Sequence, residues 1–192
     1  MRRPIFVGET EQSEAHRRVG LLVSNCARLE QAVTYLEWQL TAFAWDKENP
    51  KPSEAERQKA LRDERRRWNK YAQLDRRIIR TTNAFENTRV AARISEVEKL
   101  QQLRREWNTM ADEARKLGRK RNAICHMYTS WSAGKVLRVV GRPWSEQCLV
   151  NEAEDNTLIG ALGKLAIEIG KLTTEIGHLF PFADQDQIIT LA

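Results

Sequence analysis

The strongest constraint in this 192-residue chain is an apolar seam near its start. Val19, Leu22, Cys26, Leu29, Val33, Leu36, Leu40 and Phe43 follow one another at alternating steps of three and four. An α-helix completes a turn in about 3.6 residues, so these positions fall on one narrow stripe roughly 36 Å long. A stripe of this kind is buried only when other helices pack along it. The spacing predicts a first helix from about residue 12 to about residue 45. "DKENPKPSE" then ends it, because Pro50 and Pro52 cannot continue a helix, and Ser53 suits the cap of the next one.

The rest of the chain repeats the pattern. From Ser53, the residues Leu61, Trp68, Tyr71, Leu74, Ile78 and Phe85 give a second helix a weaker apolar face. The many Lys and Arg residues between Arg57 and Arg80 read mostly as its wet side. "TTNAFENT" offers a break, since Thr and Asn suit caps and turns. A third stripe steps through Leu100, Leu103, Trp107, Met110, Ala114, Leu117, Arg121, Ile124, Tyr128 and Trp131. It stays in register across Gly118, which argues against a helix end there. "SAGK" at 132–135 reads as a turn, and the β-branched run that follows as a short hairpin or ordered loop near 135–150. The last helix opens near Asp155, with Leu158, Leu162, Leu165, Ile169, Leu172, Ile176 and Leu179 on its stripe. Gly163, Gly170 and Gly177 recur beside it at a spacing of seven. Mid-helix Gly costs about 1 kcal/mol relative to Ala, so the three predict a closely packed neighbouring helix backbone. The expected fold class is all-α: a bundle of about four long helices with up-down connections. It is read as one helical domain over residues 1–192, with its core at about 12–180.

Composition narrows the functional classes. Charged residues at 30% and apolar residues at 41% describe a globular chain rather than a disordered one. The net charge of +6 suits a polyanionic partner such as RNA or DNA, and equally suits a solvated basic face. Cys26, Cys125 and Cys148 are widely separated, so no disulfide framework or zinc spacing is indicated. Cys26 lies on the first stripe as a core thiol, and a reducing, cytoplasmic location is expected. "MRRPIFVGET" carries no apolar signal segment, and no run of 18 apolar residues occurs, so no membrane association is expected.

The third stripe contains the chain's one anomaly, "GRKRNAICHMY" at 118–128. Arg121 occupies a slot where the seam calls for an apolar residue. A guanidinium is rarely buried unless paired, so Arg121 either meets an acid in the core or faces a cleft that receives an anion. Asn122 and His126 are four apart and share a helix face, joined by Arg119. Arg121 and His126 are five apart, about 140° around an ideal helix. One helix cannot easily aim both at one atom, whereas two copies about a two-fold axis can.

"RNAICH", Arg121 to His126, resembles the R-x4-H motif of the HEPN superfamily, in which a polar residue, here Asn122, often follows the arginine. The helical setting is similar as well: a first helix such as "LVSNCARLEQAVTYLEWQL", and the motif late in a central helix. The resemblance implies a homodimeric, metal-independent endoribonuclease of the toxin or anti-phage type, with no cofactor and any antitoxin on a separate chain. It implies Arg121, His126 and Asn122 as catalytic residues. Arg115, Lys116, Arg119 and Lys120 would hold the RNA backbone by charge. The chain departs from the best-known pairs in showing no nucleotidyltransferase segment. A catalytically silent module of the same build, binding nucleic acid or a partner protein, is the alternative, and a helical scaffold in which "RNAICH" is coincidence is a third. Cys125 reads as structural, and His16 and His178 receive no function.

Overall fold

Among the described residues are four long helices and a small sheet. α1 spans Val7–Glu48, α2 Leu74–Ala91, α3 Ile94–Cys125 and α4 Glu152–Leu179. Between α3 and α4 lie β1 Tyr128–Ser132, β2 Lys135–Val140 and β3 Glu146–Leu149. The structure, a computed structural model, describes the backbone at 7–49, 53–56, 58–60, 62–63, 73–125, 128–132, 135–140, 146–149 and 152–180. It describes side chains at 13–49, 53–56, 58–60, 62–63, 73–122 and 152–180. The long helices pack through their apolar stripes, as the all-α reading requires. No helix among the described residues is long and apolar enough to cross a membrane.

The predicted boundaries of α1 fall inside the observed helix, which ends where Asn49 turns back on Trp45: its backbone N–H and its side-chain Nδ2 both donate to the Trp45 carbonyl at 2.9 Å. Ser53 caps the helical residues 54–56, as its sequence position suggested. The Glu56 carboxylate accepts from the Ser53 N–H at 2.8 Å and from its hydroxyl at 2.7 Å. These bonds hold the exposed Glu56 carboxyl below its usual range.

Three expectations are corrected. First, the second helix does not run unbroken from Ser53, and its break is not at 81–88. α2 begins at Leu74 after an extended Gln73 and continues through the Thr-rich stretch to Ala91. Thr81, Thr82 and Thr88 are helical, and each hydroxyl donates to the carbonyl four residues back. Trp68 and Tyr71 lie outside the described residues. Second, α3 ends at Cys125, so Tyr128 and Trp131 do not extend its stripe. They lie in β1, opposite Val139 and Val136 of β2. Tyr, Trp and Val are residue types enriched in strands. The hairpin expected near 135–150 is therefore part of a three-stranded antiparallel meander of order β1-β2-β3.

The third correction concerns glycine. A Cβ on Gly163 would meet the Asn25 amide at 3.4 Å, and one on Gly177 the Gln39 amide at 3.1 Å. Gly170 has nothing within 4 Å. The glycines thus make room for two polar side chains of α1 rather than for a helix backbone.

The chain divides into two compact units, and the division falls within α1, α3 and α4. Unit 1 comprises residues 1–29 and 114–165. Its buried apolar residues include Leu22, Cys26 and Leu29 of α1, Leu117 of α3, and Leu158, Leu162 and Leu165 of α4. Arg18, with 7% of its side chain exposed, pairs with the fully buried Asp155 at 3.6 Å and with Glu152 at 3.2 Å. Asn25 donates to the Ile159 carbonyl at 2.9 Å. The partners of Arg18 and Asn25 advance together along the chain, so α1 and α4 run parallel here.

Unit 2 comprises residues 30–113 and 166–192. Val33, Leu36, Leu40, Ile78, Phe85, Leu103, Trp107, Ile169 and Ile176 are fully buried in it. Trp107, expected in the core, donates its indole N–H to Thr82 at 3.0 Å. Arg80 pairs with the buried Glu37, Arg77 with Thr34, and Thr88 donates to the Leu40 carbonyl. These partners also advance together, so α1 and α2 are parallel neighbours. α2 and α3 are antiparallel, as shown by the Thr82–Trp107 and Glu86–Arg104 contacts. Phe43 stacks on Phe180 with ring centroids 3.8 Å apart.

Two stability outcomes follow. Gly170→Ala should raise the unfolding free energy by about 1 kcal/mol in a urea titration, because it removes a helix-interior glycine and meets no neighbour. Asp155→Ala should lower it by roughly 3–5 kcal/mol, because Arg18 would be left buried with only the exposed Glu152. A loss under 1 kcal/mol would show that the pair contributes little.

Candidate functional site

The last turns of α3 carry the residues singled out by the sequence. At about 100° per residue, Ala114, Leu117, Gly118 and Arg121 share one arc of the helix. The first three are buried and Arg121 is half-buried, so its guanidinium does interrupt the apolar seam. Gly118 does not end the helix, as its register implied.

The sequence left two options for Arg121, an acid in the core or an anion in a cleft. The structure adds a third partner. Arg121 Nη2 donates to Cys26 Sγ at 2.9 Å. Cys26 is fully buried on the α1 stripe and is not in a disulfide. Its burial as a reduced thiol was legible in the stripe, but its meeting with Arg121 was not. The only available hint was that Arg121 and Cys26 each sit in register within an apolar seam.

The remaining cations lie elsewhere on α3. Lys116 and Arg119 point to the side opposite the buried arc, with Lys120 at one flank and Arg115 and Asn122 at the other. Lys116, Arg119, Lys120 and Asn122 are exposed, and Arg115 is half-buried. The four basic residues therefore do not converge on Arg121 within one chain. They form a fan over the outward half of the helix end. His126 lies outside the described residues, as do the side chains of Cys125 and Cys148. No group of His, Cys, Asp and Glu among the described residues is placed to hold a metal ion.

Near this end of α3, unit 1 holds a second set of polar contacts on α1. Arg18 with Asp155 and Asn25 with the Ile159 carbonyl fix α1 against α4, while Cys26, the residue after Asn25, meets Arg121. Consecutive residues of α1 thus engage two different helices. Comparison of the chain with models of known protein families, with curated proteins and with solved structures finds no match.

The outward cations should be dispensable for folding. Lys116→Gln, Arg119→Gln and Lys120→Gln should each change stability by no more than about 0.5 kcal/mol, the usual range for exposed positions. Urea titrations of the three single variants check this.

Proposed function

We propose that the protein is a metal-independent endoribonuclease of HEPN type. It acts as a homodimer, and as a toxin or anti-phage effector whose antitoxin, if it has one, is a separate chain. The observation that carries this reading is a guanidinium set into an apolar helix seam, five residues before a histidine. Supporting it are the helical architecture, the placing of Arg121 in the last turns of a long helix, and the exposed cations on the outward side of that helix end.

The chemistry needs few parts. The ribose 2′-oxygen attacks the adjacent phosphorus, the bond from phosphorus to the 5′-oxygen breaks, and the 2′-OH proton must leave as the 5′-oxygen gains one. Imidazole, with an ordinary pKa of about 6.5, suits both proton transfers, which are assigned to His126. The negative charge that crowds the phosphate in the transition state needs a fixed cation, and a planar guanidinium binds two oxygens at once, the role given to Arg121. Asn122 orients His126 or the phosphate by hydrogen bonds. Lys116, Arg119, Lys120 and Arg115 attract the RNA backbone without reading sequence. Two copies about a two-fold axis would bring the pair of motifs to one cleft, since five residues along an ideal helix turn by about 140° and one copy cannot easily aim both side chains at one atom.

The test is cleavage of single-stranded RNA in the presence of a chelator. The expected products end in 2′,3′-cyclic phosphate and 5′-hydroxyl. Arg121→Ala or His126→Ala should abolish cleavage while the helical circular dichroism spectrum and the dimer persist. An unchanged rate in either variant overturns the mechanism. A second reading, a silent module that binds RNA, draws on the outward fan of cations. It predicts binding that weakens steeply with salt and no cleavage at any enzyme concentration.

A further inference from the structure

Resting on the ribonuclease reading, we propose that Cys26 is the positioning residue for Arg121. It touches no substrate and acts only through the guanidinium it holds. The contact is specific: Nη2 donates to Sγ at 2.9 Å from a helix 95 residues away in sequence. The sulfur is fully buried, so it is a fixed point of the core rather than a mobile surface group. Arg121 is only half-buried, so one edge of its guanidinium is tied to the core while part of the side chain reaches solvent.

The choice of a thiol has a physical consequence. A carboxylate at this point of the seam would orient the guanidinium but also neutralise it, and would compete with an incoming phosphate. A cysteine sulfur accepts one N–H at this point without itself setting a carboxylate against the guanidinium. Fixing the plane of the fork matters because a guanidinium binds phosphate through paired, directional N–H groups. An error of about 1 Å in such a group lowers a rate by about a hundredfold. The α1 backbone beside Cys26 is itself held, since Asn25 donates to the Ile159 carbonyl, so the sulfur's position is set by a second helix contact.

The experiment compares Cys26→Ser, Cys26→Ala and Cys26→Asp with the unaltered protein and with Arg121→Ala. Serine keeps an acceptor, alanine removes it, and aspartate adds the neutralising charge. Cys26→Ala should lower kcat roughly ten- to a hundredfold, with little change in KM, and Cys26→Ser should recover most of the loss. Cys26→Asp should be as inactive as Arg121→Ala if it folds. Thermal melts of the Ser and Ala variants are measured alongside, so that a rate difference between them at equal stability is not a folding effect. Equal rates for Ser and Ala, with Arg121→Ala inactive, would overturn the role of Cys26 and leave the ribonuclease reading standing. A second measurement does not depend on activity. The Arg121 guanidinium N–H signals, followed by NMR, should exchange faster with water in Cys26→Ala than in Cys26→Ser or the unaltered chain. Unchanged exchange in Cys26→Ala overturns the proposal even if the protein cleaves no RNA.

Discussion

The apolar stripe of α1 is the constraint on which everything else depends. Leu22, Cys26 and Leu29 bury it in unit 1, and Val33, Leu36, Leu40 and Phe43 bury it in unit 2. Each large aliphatic side chain taken from water contributes about 1.5–3 kcal/mol before the cost of ordering the chain. No polar contact in the structure approaches the sum of these. α4 lies against α1 at Gly163–Asn25 in unit 1 and at Gly177–Gln39 in unit 2.

Polar groups that interrupt apolar surfaces are paired with care. Arg18 meets Asp155, Glu37 meets Arg80, Trp107 meets Thr82, and Arg121 meets Cys26. Burying such a group alone costs more than its bond returns, so each pair tolerates one alignment of its helices and penalises the others. The glycines of α4 belong to the same logic. Gly163 and Gly177 lie against the amides of Asn25 and Gln39, which a Cβ would meet at 3.4 and 3.1 Å. These contacts select a register more than they add stability.

Much of this was legible from the chain alone, and the failures are informative. The stripes of α1 and α4 and the persistence of α3 through Gly118 follow from spacing, because periodicity reports which side of a helix is dry. The end of α3 was misread. Tyr128 and Trp131 keep the helical spacing by chance, and only pairing with Val136 and Val139 makes them a strand. The start of α2 was misread because a basic stretch with scattered aromatics has no single strong period. At the candidate site, the intrusion of Arg121 into the seam was visible as an unexpected residue type. Its partner was not, since nothing local connects positions 26 and 121.

The sequence by itself determined which faces of its helices avoid water, that Ser53 caps a helix after Pro50 and Pro52, and that one guanidinium breaks a seam. Those are local properties, written in the spacing of neighbouring residues. Only the tertiary structure decided that α1 runs parallel to α2 and α4, that glycines accommodate amides, and that the broken seam is answered by a sulfur. Each of these depends on which distant segments come together, and a side chain's partner is fixed by the alignment of whole helices rather than by its own neighbours in the chain.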